Sequence, residues 1–285
     1  MNPTVPEIAA RTADPVRRPS VGVIIRFKNS AATLPEVLAA LRRQTRPPER
    51  IIGVNNQSTD ASPALLRAAG AEILDWSAPY HHSRVLNWAI QQCPTDLVLV
   101  LSSHTVLESP DALASLVAVF DDPATACASG KWDADPFYSD AVTWRELQAK
   151  GLKIGSIYSN SMGMIRRSLW EKTPFDETLP TMEDGAWALT QLRAGHQCRR
   201  LNFRFSYQRG GRSRDFIFAL LTFQLAARHG LRVTWLGAVA AVRRLGQARW
   251  QRFRGQPTAN PAESQRIQQH LRGWLLWRFL HRTTE

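Results

Sequence analysis

Short apolar runs alternate with helical patterns over the first hundred residues, and this alternation restricts the fold more than any other feature. Residues 21–25 (VGVII) and 97–101 (LVLVL) are continuously apolar, as expected of strands covered on both faces. Shorter strands are predicted at 50–54 and 72–74, and helices at 33–43, 63–69 and 83–92. Strands and helices in this order predict an α/β fold with a mostly parallel central sheet flanked by helices.

Polar residues follow three of the predicted strands. These segments are 26–29 (RFKN), 55–60 (NNQSTD) and 102–104 (SSH). In open α/β sheets, ligands bind in the crevice beyond the carboxyl ends of the strands. The sequence therefore predicts that the three segments converge on one binding crevice.

The second half of the chain is predicted to change from mixed structure to basic helices. A strand is predicted at 161–165, and helices at 167–172, 182–193, 214–229, 234–252 and 264–282. From Arg199 onward the chain has 17 arginines and three acidic residues. We expect a loose lead at residues 1–19, one α/β domain over 20–205, and a basic helical region over 206–285.

The basic region indicates which partners the chain can bind, and the cysteines indicate the redox state of its compartment. An arginine-rich surface can face an anionic membrane leaflet or nucleic acid, or be solvated with no partner. No recognised nucleic-acid-binding motif accompanies the arginines, so nucleic acid is not an expected partner. The three cysteines lie far apart, which indicates a reducing compartment and no zinc site. With no secretory pattern and no long apolar run, we expect a cytoplasmic protein that can rest on the inner face of the cell membrane.

Several motifs, taken in order, resemble the family 2 glycosyltransferases with the GT-A fold. They are residues 23–29 (VIIRFKN), 54–60 (VNNQSTD), 83–87 (SRVLN), 174–177 (PFDE) and 182–187 (MEDGAW). The resemblance spans about residues 20–205. It implies an enzyme that transfers a sugar with inversion from a nucleotide sugar, a UDP- or dTDP-sugar, to a glycan or lipid-linked acceptor in surface polysaccharide or glycolipid synthesis.

The resemblance also implies a donor-binding set at the strand ends. The family's base-binding aspartate is Asn55 here, whose amide can still donate and accept at the edge of a uracil or thymine ring. Lys28 and Arg84 are candidates for neutralising the diphosphate. The full set of candidate donor-binding residues is Arg26, Lys28, Asn29, Asn55, Ser58, Asp60, Arg84, Ser102, Ser103 and His104. Asp60 can instead cap the following helix.

Glu183 and Asp184 are the candidate catalytic residues. Inverting transfer needs a base that removes the proton of the acceptor hydroxyl, and a carboxylate in a partly desolvated cleft meets that need. The resemblance implies that the aspartate of this Glu-Asp pair, which is Asp184 here, is that base. Both carboxylates also suit the first turn of a helix, where the helix dipole favours negative charge.

The usual metal-binding motif is altered. The family's fourth strand commonly ends in Asp-x-Asp, which holds Mg²⁺ or Mn²⁺, and Ser102 and His104 occupy these two positions here. Three roles are open to His104: a ligand of Mn²⁺, a hydrogen-bond donor to phosphate, or a polar strand-end residue. The sequence therefore leaves open whether the chain binds Mn²⁺ or Mg²⁺ as a cofactor. The candidate metal ligand is His104.

Two further segments concern the positive charge that would neutralise the diphosphate. Asp133 and Asp135 form a literal Asp-x-Asp, but no apolar strand precedes them, so we expect this motif to be unrelated to the metal slot. The family often has a histidine near Tyr207 and Gln208, and neither residue is a histidine here. Cationic charge at the leaving group can instead come from arginine, for which the candidates are Arg209, Arg212 and Arg214.

The altered motif also leaves a second function open. A chain without the family's aspartates can be a non-catalytic homologue that binds nucleotide or glycan and acts as a scaffold in a biosynthetic complex. The retained Glu183 and Asp184 favour the enzyme.

Overall fold

A computed structural model describes residues 18–131, 136–153, 156–208 and 215–231, with side chains omitted over 215–220. The strands are β1 (Val21–Phe27), β2 (Arg50–Asn55), β3 (Glu72–Asp75), β4 (Leu97–Ser102), β5 (Thr105–Leu107), β6 (Thr125–Gly130), β7 (Ala141–Val142), β8 (Met162–Arg166), β9 (Gln197–Leu201) and β10 (Phe205–Tyr207). The helices are α1 (Leu34–Arg42), α2 (Ser62–Ala68), α3 (His82–Gln91), α4 (Ala112–Ala118), α5 (Trp144–Lys150), α6 (Arg167–Lys172), α7 (Glu183–Arg193) and α8 (Asp215–Arg228), with a 3₁₀ helix at Val119–Asp121.

The central sheet has eight strands in the order β3-β2-β1-β4-β8-β6-β9-β7. The first four are parallel, β8 is antiparallel to both of its neighbours, and β6 and β9 are parallel. Strands β5 and β10 form a separate antiparallel pair. The predicted α/β fold with a mostly parallel central sheet is confirmed.

The sheet separates two apolar clusters. Successive side chains of a strand point to opposite faces. Thus Ile24 of β1 and Val98 and Val100 of β4 pack with α3, α5 and α7, whereas Ile25 and Leu99 pack with α1, α2 and α4. Covering both faces explains why β1 and β4 are continuously apolar. Arg26 and Ser102 continue the alternation on the α3 and α7 face, so they lie on the side where α7 begins.

The predicted elements match the structure to within two residues at each end where both exist. The sequence patterns predicted no element between residues 105 and 130, where β5, α4 and β6 form. Strand β6 (TACASG) is fully buried but built from small residues, so it lacks the bulky apolar run by which β1 and β4 were found. The helix predicted at 214–229 is α8, and its residues Leu221, Leu225 and Ala226 are buried in the cluster that also holds α7.

Some predictions fall outside the described residues. These are residues 1–17 of the lead predicted at 1–19, the helices predicted at 234–252 and 264–282, the motif of Asp133 and Asp135, and Arg209, Arg212 and Arg214. Within the described ranges, no helix combines the length and the apolar character that crossing a membrane requires.

Candidate active site

The polar segments after β1, β2 and β4 meet at the carboxyl end of the sheet, as their order predicts. The hydroxyl oxygens of Ser30 and Ser103 lie 2.9 Å apart, which joins the segments after β1 and β4. The backbone N–H of Asn29 donates to Ser58 Oγ over 3.1 Å, which joins the segments after β1 and β2. Three candidate donor-binding residues, Asn29, Ser58 and Ser103, therefore shape the floor of one crevice.

Asp60 also holds this floor together. One of its carboxylate oxygens accepts from the backbone N–H of Ala31 (2.9 Å) and the other from that of Ser62, the first residue of α2 (3.0 Å). The hydrogen bond from Ser62 and that from Ala31 lower the pKa of Asp60 against the opposing effect of burial. Asp60 thus stays ionised and ties the segment after β1 to the start of α2.

Backbone strain concentrates around the crevice. In the described ranges, the non-glycine residues with positive φ are Asn29 (48°), Gln57 (56°) and Met182 (67°). Asn29 follows β1, Gln57 follows β2, and Met182 precedes the Glu-Asp pair that begins α7. Such conformations cost free energy and cluster at functional sites, so their placement supports the crevice as the site.

Arg26 of β1 contacts Tyr80 and His82 at the start of α3 and also lies near Glu183 at the start of α7. Its Nη1 donates to Tyr80 Oη (3.3 Å), lies 3.1 Å from His82 Nδ1, and is 4.0 Å from Glu183 Oε1. Because guanidinium only donates, Nδ1 of His82 accepts in this contact. Burial lowers the pKa of Arg26, but attraction to Tyr80, Glu183 and Asp184 outweighs it and leaves the pKa above its usual value. The crevice therefore holds a permanent positive charge beside the candidate catalytic carboxylates.

Asn160 positions both of these carboxylates. Its backbone N–H donates to Asp184 Oδ2 (3.1 Å), its side-chain amide donates to Glu183 Oε1 (3.2 Å), and its Oδ1 accepts from Tyr158 Oη (3.0 Å). Asn160 is buried, and Gly163 lets its loop pack closely, since a Cβ at Gly163 would lie 2.4 Å from the carbonyl oxygen of Ser159. The pair is thus oriented by a loop distant in sequence.

Asp184 has the properties of a base that works near neutral pH. Burial, and then repulsion from Glu183, raise the pKa of Asp184 to about 7, against the N–H groups of Asn160 and Gly185 and the charge of Arg26. The side chain still has partial contact with solvent. A carboxylate with this pKa is ionised in part at neutral pH and can accept the proton of a hydroxyl as the oxygen of that hydroxyl forms a new bond.

Asn55 is paired with a residue that the sequence patterns did not single out. Its Oδ1 accepts from the backbone N–H of Ser58 (2.9 Å), and its Nδ2 donates to Asp75 Oδ1 (2.8 Å). Asp75 ends β3 beside Asn55 and is exposed. The end of β2 therefore has Asn55 in place of the family's aspartate. The neighbouring strand β3 ends in an aspartate, Asp75, whose carboxylate contacts Asn55.

Ser102, Ser103 and His104 form the end of β4 and the turn into β5. Ser102 donates its backbone N–H to Ser161 O (2.9 Å), and the Ser103 carbonyl accepts from Thr33 Oγ1 (2.6 Å). The His104 ring packs edge-on against Tyr207, with ring centroids 4.4 Å apart, and its carbonyl accepts from the backbone N–H of Gln208. The turn is held by β10, which pairs with β5.

Two predicted phosphate-binding residues lie on the surface. Arg84 of α3 is 60% exposed and pairs with Glu177 at 3.5 Å, and Lys28 is exposed in the segment after β1. Neither has a contact with Glu183 or Asp184 among the described interactions. Among the described residues, Arg26 is the cation that the structure brings to the candidate catalytic pair.

Asn160, Tyr80, His82 and Asp75 were missed by the sequence patterns. Asn160 and Tyr80 lie in loops with no periodic signal, and their partners lie 23 and 54 residues away in sequence. Asp75 could have been found, because it directly follows the strand predicted at 72–74, as Asn55 follows the strand predicted at 50–54.

Sequence comparisons relate the chain to one family. The model of "Glycosyl transferase family 2" matches residues 22–178, more than half of the chain. The O-antigen chain rhamnosyltransferase RfbN of Salmonella typhimurium is 26% identical over 196 residues, which cover 62% of each protein. The O-antigen chain rhamnosyltransferase WbaN of Salmonella anatum is 25% identical over 197 residues, or 63% of this chain and 62% of WbaN. The chain thus matches less than two thirds of the length of these relatives.

Solved structures of low sequence identity have the same fold. The mannosyltransferase PcManGT from Pyrobaculum calidifontis, in complex with GDP-Man and Mn²⁺, superposes with a TM-score of 0.62 at 18% identity, covering 93% of this chain and 73% of PcManGT. TarS residues 1–349 of S. aureus, in complex with UDP, superposes with a TM-score of 0.55 at 19% identity, covering 73% and 64%. The GT-A fold implied by the sequence motifs is confirmed.

Proposed function

The chain belongs to glycosyl transferase family 2, and we propose that it moves a sugar, with inversion at the anomeric carbon, from a nucleotide-sugar donor to a glycan or lipid-linked acceptor. The observation that carries this proposal is Asp184, whose pKa is raised to about 7 in a crevice that also holds Glu183 and Arg26. The names of the O-antigen rhamnosyltransferase relatives support surface polysaccharide or glycolipid synthesis as the process.

The proposed reaction is a single displacement. Asp184 accepts the proton of the acceptor hydroxyl, and the oxygen of that hydroxyl forms a bond to the anomeric carbon of the donor sugar. The bond from this carbon to the phosphate oxygen breaks, and its electron pair leaves with the nucleoside diphosphate. Asn160 holds Asp184 and Glu183 in place, so the base does not have to reorient before it accepts the proton.

The raised pKa of Asp184 predicts a pH dependence. Only the ionised form accepts a proton, so kcat/KM should fall by up to about tenfold per pH unit below pH 7 and level off above pH 8. The measurement is kcat/KM between pH 5 and 9 at constant ionic strength, with thermal melts at each pH to confirm that the protein stays folded. A flat profile between pH 5 and 8 would show that Asp184 is not the base.

The pair of Asn55 and Asp75 suggests which base the donor carries. Uracil and thymine present an N–H donor next to carbonyl acceptors. The Asp75 carboxylate can accept from such an N–H while the Asn55 amide donates to the adjacent carbonyl, and the two side chains already lie 2.8 Å apart. Cytosine and adenine lack this N–H beside a carbonyl. Guanine shares this feature, so the UDP- or dTDP-sugar donor that we propose also rests on the family resemblance.

A thermal-shift screen with UDP, dTDP, GDP, CDP and ADP tests the donor class, because a ligand that binds only the folded protein raises its melting temperature. We expect shifts with UDP or dTDP.

Asp75→Ala should weaken this binding about tenfold, since it removes a hydrogen bond to a charged acceptor. Glu72→Ala, at the opposite end of β3, is the matched control and should leave binding unchanged. Shifts confined to GDP would redirect the proposal to guanine, which has a similar edge, and shifts with CDP or ADP would contradict it.

The basic region predicted at 206–285, and the boundary of the α/β domain near residue 205, stay proposals. We propose that this region rests on the anionic inner face of the cell membrane, where lipid-linked acceptors are found, through arginine and tryptophan side chains. Most of it lies outside the described residues. Sedimentation with vesicles containing anionic lipid, compared with neutral vesicles, tests the proposal, and equal binding to both would contradict it.

The altered Asp-x-Asp positions favour one alternative, a non-catalytic homologue that acts as a scaffold in a biosynthetic complex. The enzyme requires the carboxylate of Asp184 as a proton acceptor, whereas a scaffold does not. If cells that carry Asp184→Asn produced as much glycan as wild-type cells, the scaffold would be the better account.

A further inference from the structure

The residues at the usual metal position do not fit a divalent cation. Mg²⁺ and Mn²⁺ in phosphate sites are held chiefly by carboxylates, whereas Ser102, Ser103 and His104 offer two hydroxyls and one imidazole. The Ser103 hydroxyl is also buried against that of Ser30. Across the described part of the chain, no three His, Cys, Asp or Glu side chains are grouped so that they could hold a metal ion.

A second changed position adjoins the first. The family often has a histidine near Tyr207 and Gln208, and the backbone N–H of Gln208 donates to the His104 carbonyl over 2.8 Å. The Gln208 side-chain amide donates to Glu36. Two departures from the family pattern that are distant in sequence are therefore neighbours in space, at the place where the metal would lie.

A permanent cation lies next to this place. Arg26 and Ser102 are directly paired on β1 and β4, and their side chains lie on the same face of the sheet. An aspartate at position 102 would add a negative charge on the same face of the sheet as Arg26, whereas Ser102 adds none. Among the described residues, the contacts of Arg26 all use Nη1, so the N–H groups of Nη2 and Nε remain for a bidentate contact with phosphate.

We infer that this chain binds the diphosphate of its donor through Arg26, with no divalent cation. The inference rests on the proposed function, since it concerns the same donor. The change at Ser102 then has a physical reason, because it leaves the Arg26 charge for the phosphate. Arg26 also stabilises the charge that develops on the leaving diphosphate, the task that a metal ion performs elsewhere.

Binding of UDP and dTDP to the full chain by calorimetry, in EDTA and in Mn²⁺, tests the inference. We expect the same dissociation constant in both conditions. Arg26→Gln should weaken binding about 10–100-fold in both, as expected for loss of charged hydrogen bonds. Arg50→Gln is the charge-matched control, because Arg50 pairs with Glu72 at the opposite end of the sheet, and it should bind as wild type does.

A second variant restores the family motif. The double variant Ser102→Asp with His104→Asp adds one carboxylate on the face of the sheet that carries Arg26, and its two carboxylates together can hold a cation. We expect its affinity in EDTA to fall about tenfold or more and to recover when Mn²⁺ is added. Thermal melts establish that each variant is folded before its binding is compared.

The outcomes separate the two proposals. Wild-type binding that requires Mn²⁺ would overturn the inference and leave the proposed transfer reaction intact. Equal binding by wild type and a folded Arg26→Gln variant in EDTA would also overturn it, as would a double variant that binds like wild type in EDTA. If neither UDP nor dTDP bound in either condition, the proposed donor class itself would fail.

Discussion

Replacing Asp184 by asparagine is expected to lower kcat/KM by about 10²–10⁴-fold, the usual contribution of a general base. Asparagine has nearly the same shape as aspartate but cannot accept the proton of the acceptor hydroxyl. It also keeps one oxygen to accept from either Asn160 or Gly185. Because the donor site is otherwise unchanged, the affinity for the nucleoside diphosphate should stay within a few-fold of wild type.

The same variant should change how stability depends on pH. Asp184 has a pKa of about 7 in the folded protein and an ordinary, lower pKa when unfolded. Between these two values the folded state binds more protons, so wild-type stability falls as pH rises to about 7 and stays low above it. Asparagine carries no charge, and its stability relative to wild type should therefore improve by about 1–3 kcal/mol between pH 5 and pH 8.

Denaturant unfolding at pH 5 and pH 8, together with steady-state kinetics, measures both effects. Asp111→Asn makes the same chemical change at an exposed aspartate before α4 and should alter neither quantity. A variant that keeps more than a tenth of wild-type kcat/KM would show that another group is the base. A variant whose relative stability does not depend on pH would show that Asp184 ionises normally.

The second large effect is expected at Asn87 of α3. Its side-chain amide donates to Phe175 O (2.9 Å) and Glu177 Oε1 (3.0 Å), and its Oδ1 accepts from Trp170 Nε1 (3.1 Å) and Phe175 N (3.0 Å). Asn87 is buried, so Asn87→Ala leaves several of these groups without a partner. We expect a loss of about 3–5 kcal/mol in the free energy of unfolding.

Urea unfolding measures the effect, and Gln91→Ala on the exposed side of the same helix is the control. Activity should fall as well, because Asn87 anchors the segment that leads from α6 to Glu183 and Asp184, the proposed catalytic pair. A loss below about 1 kcal/mol would mean that water satisfies the freed groups. The asparagine of the SRVLN motif would then have a role other than the joining of α3 to residues 170–177.

The strand-end segments could be predicted from the sequence because their positions follow from local patterns. Runs such as 21–25 and 97–101 indicate buried parallel strands, and parallel strands place their carboxyl ends at one edge. These patterns alone therefore predict that Arg26 and Ser102 lie in one crevice. Glu183 and Asp184 came from the family motif, and the structure adds the loop that holds them.

The remaining parts of the site depend on contacts that no local pattern encodes. Asn160 reaches Glu183 from a loop, and Asp75 meets Asn55 only through the pairing of β2 and β3. The sequence patterns offered Lys28 and Arg84 for the phosphates because they are cationic and lie in family motifs. Their exposure, and the placement of Arg26 between Tyr80, His82 and Glu183, become visible only in three dimensions.

The most direct test of the account is an NMR time course of UDP- and dTDP-sugars with the purified protein and lipid-linked acceptors, comparing wild type with Asp184→Asn. Wild type should release nucleoside diphosphate as a glycosidic product of opposite anomeric configuration appears, and Asp184→Asn should show neither at a comparable rate. Retention of the anomeric configuration, or equal rates for the two proteins, would contradict a single displacement with Asp184 as its base.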